Sequence, residues 1–572
     1  MKDNMKKQYR VKSHKKTVRR FTPANNVGEF INVLRGHGNK KIFAWKEKQA
    51  VKEMTYSEFI EMVENFSCAL TKKYGDRAGV KISVIGETSP YWVAAYLGIL
   101  ASGNVVVPMD KELAHSEISK FFEVANVEAV VYSSTFNEVM PTILDGHKTL
   151  RTLIPIDSSI PTSENVISFS AMASLGYLSR IRFNPDRNTE RCCELLFTSG
   201  TTGTSKCVML CQKNIFSVVK SACETVDFEP EDVLVSVLPL HHTYELACTL
   251  GALNYGMLLC INDSLRNVLR NFKEYKPTGL VLVPLFVTTM YKRILTEANK
   301  SGKGKILPVA SKVSNLLRFA GIDTSELLFR DVRAAFGGRL KKIICGGAAL
   351  NSELIPIFES FGISIYEGYG ITECSPLVAV TPYHKRKCGS VGPAVPCCNV
   401  RIDGIETNED GYVTGEIQVK GDNVMLGYMD PEANEAAFTE DGWFRTGDIG
   451  HMDNDGYIYI TGRLKSVIVL ENGKNVFPEE IEEYLEGVEA IEESVVVGRE
   501  AEDGTVKLVA VVYPAAEAFP NKSEDELRAE IQKAVAEINK KNPSFKQIHK
   551  LEFRKTPFEK TTTKKIKRHL VK

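Results

Sequence analysis

The sequence predicts an α/β protein: a large N-terminal domain of stacked, largely parallel sheets with helices and a β subdomain, and then a small α+β C-terminal domain. Three observations lead there. Short apolar runs alternate with helix-period segments over the first two thirds of the chain, the texture of strands buried on both faces. After about residue 395 the texture changes to strands and tight turns, as in Gly415–Gly421 and Gly456–Gly462. Beyond Arg463 a compact β-α-β pattern follows. The 572 residues, 43% hydrophobic and 25% charged, have an ordinary globular composition and hold roughly three to four domains' worth of chain.

The chain opens with a basic arm. Met1 to Arg20 carries nine Lys or Arg against the single acid Asp3, and residues 1–22 read as a solvated, disordered tail. The other reading lays this arm on an anionic lipid surface as a weak peripheral contact. No apolar stretch with a small-residue cleavage site follows it, so it is not a secretory signal and the protein is expected in the cytoplasm, or peripheral to a membrane. Next come a strand over Val80–Ile85 and a helix through Leu100. The longest apolar stretch, Tyr91–Val107, is interrupted by Gly98, Ser102, Gly103 and Asn104, and reads as a buried helix handing over to a strand, not a membrane span. Further strands are predicted at residues 129–132, 153–156, 233–238 and 280–283, the last before a helix. A β subdomain covers about 395–462 and a boundary falls near Leu464–Lys465, giving domains 23–464 and 465–572. The second holds a helix over Pro478–Leu485 and strands over Ser494–Val497 and Lys507–Tyr513.

Charge and cysteines exclude several classes. With 72 basic and 71 acidic residues the net charge is +1, and nothing points to nucleic acid. The thirteen cysteines include no C-x-x-C pair, and several lie in apolar runs such as Lys342–Cys345. They read as reduced core residues, not as a disulfide framework or zinc site.

The strongest chemical signal is Thr198-Ser199-Gly200-Thr201-Thr202-Gly203-Thr204-Ser205-Lys206, directly after the apolar run Leu195–Phe197. Glycines let a backbone approach a phosphate and turn its N–H groups inward, hydroxyls add uncharged donors, and Lys206 adds a point charge. Each bond contributes about 1 kcal/mol net, so a whole loop is needed. The Walker A spacing fails, since Ser205 and Cys207 stand where its second glycine and its hydroxyl belong. This is a different phosphate loop, and a nucleoside triphosphate is its expected ligand; a flexible linker is the competing reading.

Six further segments occur in a telling order: Leu238–Glu245, Gly346–Leu350, Gly368–Glu373, Gly442–Asp448, Thr461–Lys465 and Lys560–Arg568. Together with the loop they resemble the adenylate-forming superfamily of acyl-CoA synthetases, adenylation domains and luciferases, over nearly the whole chain. Within it the chain looks most like the long-chain fatty acyl-CoA synthetases. The resemblance implies that a carboxylate attacks the α-phosphate of ATP to give acyl-AMP and pyrophosphate, and that a thiol, CoA, then displaces AMP. It implies Lys565 as the cation bridging carboxylate and phosphate, Tyr369 and Gly370 against adenine, Thr372 on the α-phosphate, and Glu373 holding Mg²⁺, a hard cation suited to carboxylate oxygens. Asp448 takes the ribose hydroxyls with help from Arg463, and Gly347 and Ala348 wall adenine from the acyl tunnel. His242 lies beside the acyl carboxylate. His241, His242 and Glu245 do not have metal-site spacing. Lys465 matches the hinge about which the C-terminal domain rotates, and Gly473 and Lys474 border the CoA tunnel.

Two departures from the family pattern stand out. Lys564 replaces a usual glycine before the catalytic lysine, as in the T-x-T-x-K-x-K-R ending of long-chain synthetases that Thr561, Thr563, Lys565, Lys567 and Arg568 reproduce. Cys207 replaces a glycine after the phosphate loop; if that position needs a positive φ, the loop is strained and ATP use slowed. The expected function is a medium- or long-chain fatty acid–CoA ligase. Alternatives are an acyl-AMP ligase loading a separate carrier protein, a non-catalytic ATP-binding homologue, and a luciferase-like oxidative use of the acyl-AMP.

Overall fold

The computed structural model describes residues 21–48, 50–75, 79–198, 205–408, 411–470, 475–500, 505–519, 522–560 and 566–571. Two α/β sheets carry the N-terminal part. One runs, edge to edge, Leu377–Val380, Ser364–Gly370, Lys342–Gly346, Gly279–Leu282, Val233–Ser236, Leu258–Ile261, Lys41–Glu47 and Ala50–Thr55, parallel throughout except for the two edge strands. The other runs Gly427–Tyr428, Lys206–Cys211, Cys192–Thr198, Val105–Met109, Lys81–Ile85, Val127–Tyr132 and Thr152–Pro155; its last five strands are parallel. The predicted fold class is thus observed.

Burial explains why these segments form strands. Every residue of Val105–Met109 and Gly279–Leu282 is buried, as parallel strands covered on both faces require. Tyr91–Val107 resolves as the sequence suggests. The helix Pro90–Ala101 buries eleven of its twelve residues, and the strand Val105–Met109 follows. Pro90 presets the first turn and the Ser89 hydroxyl accepts from the Trp92 N–H at 3.1 Å, a cap that stabilises the helix start by about 1 kcal/mol.

One core fuses the sheets. Val84, Val106 and Leu196 of one sheet share a contiguous buried cluster with Phe43, Leu234 and Val281 of the other, through helices that include Pro90–Ala101 and Thr243–Tyr255. The same cluster reaches Ile417, Val419, Phe444 and Ile458 of a five-stranded antiparallel sheet built from residues 392–463. The outer face of the eight-stranded sheet has its own core around Leu282, Val287 and Phe358.

Beyond Arg463 a two-stranded ribbon, Ile468–Val469 with Asn475–Val476, leads to a three-stranded sheet of Ile491–Glu500, Val506–Pro514 and Lys550–Phe553. Helices Pro478–Glu486 and Glu524–Lys541 cover one face through Ile481, Leu485, Leu527 and Ile531. Phe558, Ile566 and Val571 pack on the other. Among the described residues no helix is long and apolar enough to cross a membrane.

Candidate active site

Chemistry-bearing segments gather where the parallel strands of both sheets end, the place at which open α/β sheets bind ligands. From the eight-stranded sheet come Gly347 and Ala348 after Lys342–Gly346, and Thr372 and Glu373 after Ser364–Gly370. From the seven-stranded sheet come Thr198 and Asp110.

The predicted phosphate loop is flanked by two strands that pair with each other. Cys192–Thr198 pairs antiparallel with Lys206–Cys211, with Thr198 opposite Lys206. Ser199, Gly200, Thr201, Thr202 and Gly203 lie outside the described residues. Cys207 corrects an expectation. It sits within the strand, opposite Phe197, and is absent from the residues with positive φ, so its backbone is extended and unstrained. Its side chain is 6% exposed, a core contact of the hairpin, not part of the loop's ligand surface.

A tyrosine without a sequence motif ties this hairpin to the acid. Tyr428 pairs with Val208, its ring lies 4.5 Å from Lys206 Nζ, and its hydroxyl donates to Glu373 Oε1 at 2.8 Å. The ring face attracts the ammonium. Lys206 and Glu373 are therefore held by one side chain. Burial, followed by the Glu373 charge, pushes the Tyr428 hydroxyl well above its usual range, so it stays a donor.

The residues expected at a nucleotide also converge. Tyr369 is buried and its hydroxyl donates to Asp448 Oδ2 at 2.7 Å, while Arg463 Nε lies 3.0 Å from Asp448 Oδ1. Asp448 and Arg463 face each other across paired strands. The Thr446 hydroxyl accepts from the Asp448 N–H at 3.0 Å and itself donates to the Ile417 carbonyl, fixing the turn that aims the carboxylate. Gly370 has no room for a side chain: an added Cβ would meet the Pro376 carbonyl oxygen at 1.8 Å. Gly347 needs glycine for its backbone, at φ +84°. With Ala348 it is exposed at the strand end, leaving space for a ligand.

Behind this cluster is an apolar cavity of about 110 Å³. It opens among Gly346, Gly347, Gly368, Tyr369 and Gly370 and runs between helices Gln212–Thr225 and Thr243–Tyr255, past Ala222 and Gly251 toward Phe228 and Met257. No lining residue is charged. Tyr244 braces its wall by donating to the Leu282 and Ile344 carbonyls, both at 3.1 Å.

His242 caps the start of helix Thr243–Tyr255, and its Nε2 is 3.1 Å from His241 Nε2. Asp110 Oδ2 lies 3.5 Å from the same His241 nitrogen. One of the two facing ring nitrogens donates and the other accepts; with the hydrogen on His241 Nε2, His242 Nε2 accepts and its Nδ1 carries the hydrogen. Glu245 takes no part. It is buried, accepts from the Ser236 hydroxyl, and is pushed up to about 8 by burial. Asp110 and Tyr428 were not visible to motif reading, since each comes from a strand end with no local signature.

Lys465 lies in the short turn Leu464–Ser466 after Arg463. Gly473, Lys474 and Lys565 lie outside the described residues. The flanks of the last are anchored: Lys560 pairs with Ile566 and with the Glu493 carboxylate, and Arg568 with Glu482. Helix Pro478–Glu486 touches the N-terminal part at Ser352, whose N–H donates to Glu483 Oε1 at 3.4 Å.

The long-chain-fatty-acid–CoA ligase FadD15 of Mycobacterium bovis is 30% identical over 533 residues, covering 87% of each chain. Human long-chain-fatty-acid–CoA ligase 1 is 29% identical over 502 residues, 82% of this chain and 71% of the human one. Among solved structures, ATP-bound MatB from Rhodopseudomonas palustris superposes with a TM-score of 0.73 at 22% identity, covering 95% of this chain and 98% of that one. The anthranilate CoA ligase AuaEII with anthranoyl-AMP gives 0.75 at 18%, covering 95% and 96%; both share the fold. Residues 31–429 match the family described as AMP-binding enzyme and residues 465–572 its C-terminal domain, and the chain belongs to the AMP-binding enzyme family.

Proposed function

We propose that this protein is an AMP-forming ligase that joins a medium- or long-chain fatty acid to CoA through an acyl-AMP intermediate. The observation that carries this reading is the uncharged cavity opening beside Tyr369 and the Gly346–Gly347 turn. An alkyl chain fits such a lining, whereas a charged substrate tail would be left without a partner. The names of the curated relatives support the same substrate class.

In the first step a carboxylate oxygen of the acid bonds to the α-phosphorus of ATP while the bond to pyrophosphate breaks. Tyr369 and Gly370 hold adenine, and Asp448 accepts the ribose hydroxyls on lone pairs left by Tyr369 and Arg463. Thr198 to Lys206 embrace the departing phosphates. His242 stands beside the acyl carboxylate and walls its site, and Thr372 donates to the α-phosphate. The Glu373 carboxylate oxygens would hold Mg²⁺, a hard cation suited to them, and the bound ion would neutralise phosphate charge. Lys565 adds a cation between carboxylate and phosphate, where charge develops in the transition state. In the second step the CoA sulfur loses its proton to solvent and bonds to the acyl carbon, the carbon–oxygen bond to AMP breaks, and AMP leaves. Rotation about Lys465 withdraws Lys565 and brings Gly473 and Lys474 to the thiol path.

The test supplies ATP, Mg²⁺, CoA and an equimolar series of acids from acetate to oleate, with products read by mass spectrometry. Medium- or long-chain acyl-CoA is expected; acyl-AMP without acyl-CoA would move the acceptor to a carrier protein. In Lys565→Ala, acyl-AMP formation should fall about 10²-fold or more while thioester formation from supplied acyl-AMP persists. Equal losses in both steps would remove the assigned role.

A further inference from the structure

Helix Leu307–Phe319 is mounted with its polarity reversed. Its inward face is largely polar, although Leu307 and Ala310 also pack on the outer core of the eight-stranded sheet. The Ser311 hydroxyl donates to Ser360 Oγ at 2.8 Å, Ser314 to the Ser360 carbonyl at 2.9 Å, and Asn315 Nδ2 to the Pro356 carbonyl at 2.8 Å. The outward face is apolar. Val309, Val313 and Leu316 follow one another at helical spacing and are 61%, 46% and 71% exposed, with Ile306 just before the helix at 61% and Phe319 at its end at 77%. Leu327, from the next short helix, is 83% exposed. Scattered exposed leucines need no explanation, but a continuous apolar stripe marks a contact surface.

Charge says what the contact is. Between residues 299 and 342 the chain carries ten Lys or Arg against three acids, Asp323, Glu326 and Asp331, whereas the whole chain carries 72 against 71. Lys300, Lys303, Lys305, Lys312 and Arg330 of this excess are exposed. An exposed apolar stripe rimmed by excess positive charge is the pattern of a helix that lies in the interface of an anionic bilayer. We infer that the stripe Ile306–Phe319 docks this protein on anionic lipid, with Val309, Leu316 and Phe319 entering the acyl boundary and the surrounding lysines meeting the headgroups. The helix before it, Pro284–Lys300, begins at the wall of the active site, where Val283 lies 3.6 Å from the position of a Cβ on Gly347. The docked face is thus joined to the site by one helix. The inference does not depend on the proposed chemistry, because docking is read without turnover.

The experiment is co-sedimentation of the full chain with phosphatidylcholine vesicles, with and without phosphatidylglycerol at about one third of the lipid. Wild type should bind the mixed vesicles and release at high salt. Combining Val309→Gln, Leu316→Gln and Phe319→Gln keeps the charge and the helix propensity, and should weaken binding at least about ten-fold, with an unchanged melting temperature. Lys305→Glu with Lys312→Glu should weaken binding to the mixed vesicles only. A chain lacking residues 2–20 separates the basic arm from the stripe, and it should still bind. No binding by wild type, full binding by the triple variant, or binding lost with the arm alone would overturn the inference. So would a triple variant that binds vesicles normally but changes the oligomeric state, which would give the face to a second copy.

Discussion

The Tyr369 hydroxyl donates a 2.7 Å hydrogen bond to Asp448 Oδ2, tying the eight-stranded sheet to the five-stranded one. Asp448 has its other oxygen 3.0 Å from Arg463 Nε, so its carboxylate is oriented before any nucleotide arrives. Asp448→Asn replaces one acceptor oxygen by a donor, and should lower kcat/KM for ATP about 10²-fold, the loss of charged hydrogen bonds worth about 3 kcal/mol. Tyr369→Phe removes one neutral donor and should cost about five-fold. Pyrophosphate release at varied ATP measures both. Equal effects of the two variants would mean that the ribose contact is not at Asp448.

Tyr428 makes a second prediction, on Mg²⁺. Its hydroxyl holds Glu373 at 2.8 Å while its ring faces Lys206. Tyr428→Phe leaves the ring under Lys206 but frees the carboxylate, so the Mg²⁺ concentration for half-maximal rate should rise about five-fold. Glu373→Gln should raise it by at least about ten-fold. A Mg²⁺ titration at saturating ATP would show it, and an unchanged midpoint in Glu373→Gln would remove that residue from the metal site.

The sequence made the α/β class legible because fully buried parallel strands leave continuous apolar runs, such as Val105–Met109, that need no partner to be recognised. The candidate phosphate loop and Asp448 drew notice for a similar reason: their local sequences carry their own chemistry. Asp110 was not readable. Its relation to His241 is made by two different sheets meeting, and no spacing encodes it. Tyr428 was hidden in the same way, on a two-residue edge strand. Cys207 was misjudged because the hairpin strand begins at Lys206, so the glycine expected beyond the loop is replaced where the backbone is already extended.

The cavity predicts how chain length is set. Gly251 lines it from helix Thr243–Tyr255, and a Cβ there would meet Cys223 Sγ only at 3.8 Å, ordinary contact. A larger side chain must therefore turn into the cavity. Gly251→Phe should shift the preferred acid to shorter chains, with kcat/KM for palmitate falling about 10-fold or more relative to octanoate. The ratio of acyl-CoA products from mixed acids reads this directly. A uniform loss across all chain lengths would place the acyl tail elsewhere.

Burial of acids predicts how stability responds to pH. Glu194 is 1% exposed within strand Cys192–Thr198, and burial pushes it up to about 8, against a hydrogen bond donated by Tyr96 at 3.1 Å. Glu367, also buried, is pushed up to about 8. An acid raised on folding holds its proton in the native state while the unfolded chain has lost it. Between the ordinary carboxyl value of 4.5 and about 8 the native state therefore binds more protons, and stability falls as pH rises. Each such group removes up to about 1.4 kcal/mol per pH unit in that window. Glu194→Gln cannot ionise, so its melting temperature relative to wild type should rise steadily between pH 5 and pH 8, whatever the offset at pH 5. Thermal melts at half-unit intervals give the slope. A constant difference would mean that Glu194 is already ionised in the native protein, with its charge met by a group other than Tyr96.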